Sequence, residues 1–399
     1  MKRIGRFMDK AAVCLIMGYS FLLSLQAGTT ARASATEGIL NVDEMFTERD
    51  LEQEPDLSEA VYHTLEDEED ILITKGGVYC FSGAGEEVTI TVEANEEDKV
   101  QIVLEGAVIA NEDFPCIYVK EADKVFVTTT ADSALSVTGE FVKDGDTNTD
   151  GVIFSRSDLV FNGTASLSIS SRDNGIVGKD DVKVTGGSYV INADSKAIEA
   201  NDSIRIAGGS FTLTAGTDGL HAENDDDDTL GFIYIEDGSF VIDAGDDAIH
   251  GTSVVQIKGG TYQISGAEGI EGTVIVIDGG KLSISSWDDG INAAQKSDSF
   301  VPSFEMNGGE LTIVMEAGDT DGIDSNGNLT INGGTIDITG PSGIDFDGNG
   351  AFNGGTLIIN GQQLGSLPDQ MMGGMGGMNQ GMGGMNQGMG GRGMGGWTR

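Results

Sequence analysis

Along most of the chain β-branched and polar residues alternate with a period of two between short Gly, Asn and Asp turns, which predicts short β-strands. The first of these are marked by Ile71/Ile73, Val88/Ile90/Val92, Val100/Ile102, Ile117/Val119, Val125/Val127 and Leu135/Val137. No stretch carries a helical period of useful length. From about Asn162 the alternation settles into a unit. One strand (Ile204-Arg205-Ile206) leads to a glycine pair (Gly208-Gly209), a second strand (Phe211-Thr212-Leu213) ends in an acidic turn (Thr217-Asp218-Gly219), and Leu220-His221-Ala222 begins the next circuit. The dipeptide Gly290-Ile291 marks the circuit: it recurs as Gly151-Val152, Gly175-Ile176, Ala197-Ile198, Gly219-Leu220, Ala248-Ile249, Gly269-Ile270, Gly322-Ile323 and Gly343-Ile344. Successive spacings of 24, 22, 22, 29, 21, 21, 32 and 21 residues define a period of 21 to 22 with two longer repeats.

Three short strands and three turns fill such a period, which describes one coil of a single-stranded parallel β-helix. The fold class expected is therefore all-β, a solenoid whose right hand follows from the crossover rule. A hairpin array would want two-residue turns at half this period, and a propeller blade about twice its length. The recurring Gly-Gly pairs suit corners that need positive φ or close approach between coils. Equivalent residues on successive coils lie about 4.8 Å apart, so Tyr189, Phe211, Phe240, Tyr262, Leu282, Leu311, Ile336 and Leu357 form one interior column.

The ends of the chain differ from this repeat. Residues 1–35 carry Lys2, Arg3, Arg6 and Lys10 ahead of an apolar run from Ala11 to Leu25 and close on Ala33-Ser34-Ala35, the pattern of a cleaved secretory signal. An exported protein, secreted or held at the cell surface, is expected. Residues 36–70 form an acidic leader or polar cap, 71–364 the solenoid, and 365–399 a Met/Gly-rich tail read as disordered. The tail's spaced thioethers are also the donor type that takes Cu(I). No later segment is long and apolar enough for a membrane span. Cys80 and Cys116 remain after cleavage, and their pairing is open.

Charge changes the picture most. The formal charge is −43, and the signal holds five Lys/Arg against one Asp, so the remainder carries −47. Nucleic acid is a poor partner for such a surface. The repeat also concentrates the charge. The residue before each Gly-Ile pair reads Asp150, Asn174, Lys196, Asp218, Asp247, Glu268, Asp289, Asp321, Ser342, and the residue after it Ile153, Val177, Glu199, His221, His250, Glu271, Asn292, Asp324, Asp345. Two carboxylates about 4.8 Å apart repel by roughly 3 kcal/mol at an effective dielectric near 20. They must protonate, fan into water or share a hard cation.

Calcium takes six to eight oxygens in irregular geometry and suits short acidic turns. The candidate loops are Asp144, Asp146, Asn148 and Asp150, then Asp319, Asp321 and Asp324, then Asn224 to Asp228, with Asp218, Asp247 and Asp289 as further candidate ligands. The first loop opens like an EF-hand but has Ser157 where the bidentate Glu belongs, so it is not one. Each loop is equally a pattern of solvated turns. His221 and His250 fall on adjacent coils with Glu199 and Glu271 above and below, a set that suits zinc, a plain polar ladder, or binding of the ligand on that face. Trp287, beside Asp288 and Asp289, is placed to stack on a sugar ring, or to sit as a half-buried turn residue.

The segments "FTERDLEQEPDLSEA", "DGDTNTDGVIFSRSDL", "KAIEANDSIRI", "DGLHAENDDDD", "AEGIEGT", "WDDGINAA" and "DTDGIDSNGNL", with the Met-Gly tail, resemble the clostridial carbohydrate-binding-domain proteins whose fold is like that of polysaccharide lyases. The resemblance implies a right-handed parallel β-helix, bound calcium, surface export and binding of plant-type polysaccharides, acidic ones included. The expectation is thus a monomeric, non-catalytic, calcium-dependent polysaccharide-binding protein. The alternatives are a calcium-assisted polygalacturonate lyase with Lys196 as base, and an adhesive surface protein. Lys196 is equally a salt-bridge partner within the acidic column.

Overall fold

A computed structural model describes residues 39–317 and 320–368. The signal and nearly all of the tail lie outside the described residues, as does Asp319. Contacts divide the chain after Leu40. Apart from one 3-10 turn at Val42–Glu44, the regular structure among the described residues from Asn41 onward is entirely β.

Strands pair with their counterparts in the next repeat rather than with their sequence neighbours, and the pairing is parallel. Ile198–Ala200 lies against Leu220–Ala222, Ser203–Ile206 against Phe232–Ile235, and Ser210–Ala215 against Ser239–Ala244. This is a β-helix-like solenoid. The last strand, Gln362–Leu364, folds back antiparallel on Thr356–Ile359.

Alternation places one set of side chains inside. In Ser210–Ala215 and in Lys281–Ser286 every second residue is buried. The expected column from Tyr189 to Leu357 is present coil by coil. Its aromatic part is a stack: Phe211, Phe240 and Tyr262 lie with ring centroids 4.7 and 4.6 Å apart and planes within 1° of parallel. That offset is the coil spacing itself, so the rings repeat with the backbone.

Glycine serves two purposes here. The second glycine of the Gly-Gly corners has positive φ; Gly309 is at 84°, and a Cβ there would lie 2.6 Å from the Gly280 carbonyl. In Gly290-Ile291 the constraint is contact alone, since a Cβ on Gly290 would meet the Gly322 carbonyl at 2.5 Å and Ile313 at 2.6 Å.

Three features depart from the sequence reading. The first coil is one residue out of register: Ile176 pairs with Ile153 and Val177 with Phe154, so Ile153 belongs to the interior column rather than the outward one. Repeats before Asn162 are irregular, and spacing alone does not place the frame. Residues 61–64 already form a strand paired with Tyr79–Ser82, ahead of the expected start at 71; the ten-residue strand Gly77–Glu86 lacks strict alternation and leaves no period-two signal. Part of the acidic leader is a strap rather than a solvated arm. Asp50 is fully buried with Oδ1 3.2 Å from Lys124 Nζ, Gln53 bonds Thr185 and Gly163, and Phe46 lies against Tyr234. Cys80 and Cys116 are both buried and not bonded to each other.

Phe240→Ala is expected to cost about 3–5 kcal/mol, because it opens a gap in the ring stack. Val241→Ala, next to it but 46% exposed, is expected to be near neutral. Urea denaturation of both variants checks this.

Candidate functional site

The strand that follows each acidic turn builds the site. Glu199, His221, His250, Glu271, Asn292, Asp324 and Asp345 are partners in register on seven successive strands. The preceding column lies beside it, since the backbone carbonyls of the turn residues Asp218, Asp247, Glu268, Asp289 and Asp321 each accept the N–H that opens the Gly-Ile pair of the coil before. Two facing rows of acids therefore run along one edge of the solenoid.

Part of the charge is relieved within the fold. Asp218 Oδ1 accepts the Asp247 N–H at 3.1 Å, and Asp289 Oδ1 the Asp321 N–H at 2.8 Å; Asn174 does the same for Lys196. These carboxylates point along the stack instead of into water. An Asp-x-x-His spacing then turns each imidazole back onto its own coil. His221 Nδ1 is 2.9 Å from Asp218 Oδ2, without the alignment of a hydrogen bond, and His250 Nδ1 is 2.9 Å from Asp247 Oδ2 and aligned. The two rings stack at 4.7 Å, and His250 Nδ1 also lies 2.7 Å from Glu271 Oε2. Glu199 turns away from the histidines to Lys179 and Lys196, at 3.0 and 3.3 Å. Lys196 thus stands as a charge partner.

The other half is under strain from its own charge. Burial, with the nearby Glu271 and Asp247 charges, pushes the Glu268 carboxyl up to about 9. Its Oε2 is buried without a partner, as is Asn292 Oδ1. Burial raises Asp289 and Asp324 to about 6, helped by Asp288, Asp321 and Glu271 around the first and by Asp289, Asp321, Asp345 and Asp347 around the second. Burial also raises Asp247 despite its bond to His250. His250 goes up to about 10: burial opposes its charge, but the bonds to Asp247 and Glu271 outweigh that. Glu271 is held down at about 2, because His250 and Lys296 outweigh its burial.

Lys296 is a site residue that the spacing did not single out, and Glu268, which the spacing put in the acidic column, was not among the candidate ligands. Lys296 arrives from the 32-residue repeat, whose extra residues 294–302 leave the coil at a corner; its Nζ is 2.6 Å from Glu271 Oε1. This insertion is clasped by the other long repeat, with Ser297 and Ser299 hydroxyls donating to Asp228 at 2.6 Å each. Within the Asn224 to Asp228 run, Asn224 Oδ1 accepts two N–H groups of its own turn and Asp228 holds the neighbouring insertion, while Asp225 and Asp226 are exposed.

The Asp144 to Asp150 loop is not gathered around one point. Asp144 bonds Lys120 and Tyr118, at 2.9 and 3.0 Å, Asn148 bonds Asp150, and Asp146 is exposed. Tyr118, Phe154 and Val177 occupy the outward column nearby and are buried with Phe114 against them. Asp150 keeps one buried oxygen without a partner. Asp321 accepts from the Ser342 hydroxyl, and Asp324 from Asn326. Trp287 is 43% exposed in the turn leading to Asp289, as its position in the repeat requires. A groove whose lining includes Lys179, Lys196, Glu199, Asp202, His221 and the acidic turn from Asn224 opens at the other end of the ridge.

Against known proteins, residues 67–320 match the family described as carbohydrate-binding domain-containing protein. A protein of that description from Acetivibrio thermocellus is 33% identical over 131 residues, which are 32% of this chain and 46% of that protein. The match thus spans less than half of that relative's length. A solved structure described as the polysaccharide lyase-like protein from C. thermocellum, gadolinium derivative, is similar at 27% identity and a TM-score of 0.48, over 56% of this chain and 93% of that one.

The raised carboxyls set a pH dependence for the chain freed of metal. A carboxyl that keeps its proton longer when folded favours the fold at low pH and loses that advantage as pH rises. The loss runs from 3.8 to about 6 for Asp289 and Asp324, and from 4.5 to about 9 for Glu268. His250 adds stability below 6.5 that is lost on approach to about 10. Glu271 works the other way, but only between 4.5 and about 2. With EGTA present, the melting temperature is therefore expected to fall steadily from pH 5 to pH 9, and Glu268→Gln to flatten that fall. A melting temperature that rises over this range contradicts the assignment.

Proposed function

Since the chain belongs to the family of carbohydrate-binding domain-containing proteins, we propose that it is an exported, calcium-dependent polysaccharide-binding protein without catalytic activity, built on a right-handed coil of 21 to 22 residues. The observation that carries the reading is the row Asp289, Asp321, Asp324 and Asp345, an oxygen-only set on adjacent coils with Asp289 and Asp324 pushed up to about 6. Hard oxygen donors crowded in an irregular array suit calcium, which relieves their repulsion and offers spare coordination positions to a ligand. A uronate carboxylate could take one of those positions, so an acidic surface would hold an acidic polymer through shared cations.

Two further features fit a linear ligand along this edge. Trp287 gives an exposed indole beside Asp288 and Asp289, the kind of amphipathic face that stacks on a sugar ring. The groove at the other end of the ridge, where Lys179 and Lys196 pair with Glu199, continues that edge. The lyase reading is weaker, because the Lys196 ammonium sits against Glu199 rather than free toward a substrate.

Glycan-array binding with calcium and with EGTA tests the proposal. Polygalacturonate should be retained with calcium and released by the chelator, and Asp289→Asn combined with Asp324→Asn should abolish retention. Trp287→Ala should weaken it by roughly 1–3 kcal/mol, the range for stacking on one aromatic side chain. Chelator-insensitive binding sinks the calcium step, and unsaturated product accumulating in ultraviolet assay would replace binding with catalysis.

A further inference from the structure

We propose that Asp247, His250 and Glu271 form a separate site for a borderline transition-metal ion of the zinc type. Among the described residues they are a set of three metal-ligating side chains with one donor atom each within 4.8 Å of the others. All three are at least nine-tenths buried, at 7%, 9% and 4% exposure.

The inference starts from an arrangement that protons alone serve poorly. His250 Nδ1 has two carboxylate oxygens on one side, Asp247 Oδ2 at 2.9 Å and Glu271 Oε2 at 2.7 Å. An imidazole nitrogen carries a single hydrogen, and here it is aligned on Asp247. The Glu271 oxygen is just as close, so two carboxylates compete for that one hydrogen. A cation between the three donors would satisfy all of them.

Charge and support agree with that occupant. A divalent ion that displaces the proton on His250 would face two carboxylates, those of Asp247 and Glu271, whose charges match its own. Glu271 is also oriented from behind: Lys296 Nζ and Asn292 Nδ2 hold its Oε1 at 2.6 and 3.2 Å, which leaves Oε2 for the site. Outer groups of this kind fix ligand direction in metal sites. Beside them, Glu268 Oε2 and Asn292 Oδ1 are buried with nothing bonded to them.

Donor type decides the metal. The row from Asp289 onward offers oxygen alone and suits a hard ion. One imidazole with two carboxylates is a set that takes zinc or its neighbours in preference to calcium, and three protein ligands leave a position for water or another ligand. His221 differs although it stacks on His250: its Nδ1 contacts one carboxylate, Asp218, and its other nitrogen faces the half-exposed Glu223.

Zinc and cobalt titrations of the full chain in excess calcium test the site, and do so independently of any sugar binding. Zinc should bind at one equivalent per chain without being displaced by calcium. His250→Gln should weaken it about a hundredfold, at or beyond the upper end of what losing a mere supporting group costs, while His221→Gln leaves it unchanged. In the unaltered chain, cobalt should give the intense visible bands of a four- or five-coordinate ion, so the site is still tested if His250→Gln does not fold. Calcium that displaces zinc, equal zinc affinity in His250→Gln, or only the faint bands of six-coordinate cobalt would overturn the proposal.

Discussion

Parallel stacking of coils at the strand spacing is the constraint on which the whole structure depends. Every residue sits directly above and below its equivalents, so the repeat converts spacing along the chain into columns in space. Inside, this is favourable: like apolar groups pack on like, and the Phe211–Phe240–Tyr262 stack repeats at the backbone's own interval. Outside, the same geometry brings like charges together. The core and the acidic edge are two results of one rule.

The chain meets the electrostatic cost in different ways along that edge. At one end lysines neutralise it, as Lys179 and Lys196 do for Glu199. In the middle, carboxylates accept backbone N–H groups of the next coil and imidazoles from their own. Beyond His250 these remedies no longer suffice, although Asp289 still accepts the Asp321 N–H and Glu268 an N–H of Asn292. Glu268, Asp289 and Asp324 are left half-buried among other acids, with pKa values well above the carboxylate range. That change along the edge is where the proposed cations would find a use.

The two long repeats show how a solenoid acquires features that periodicity forbids. Their extra residues leave the coil three coils apart, with two coils between them, and clasp each other through Asp228, Ser297 and Ser299. Between them the strands Ile249–Ile257 and Ile270–Ile277 run on without a break. The clasp carries Lys296 to Glu271, a contact across 25 residues that belongs to no column.

Sequence alone determined the period, the interior column from Tyr189 to Leu357, the glycine corners and the two acidic columns, because each depends only on backbone spacing. It could also say that such columns are too crowded to remain as written. It did not place the first coil, where insertions blur the frame and Ile153 lies inward, nor the strap that buries Asp50. Which acid finds a proton, a lysine, a histidine or a neighbouring N–H was decided by the tertiary structure. Those choices depend on side-chain direction and on loops that cross between coils, and neither leaves a periodic trace in the chain.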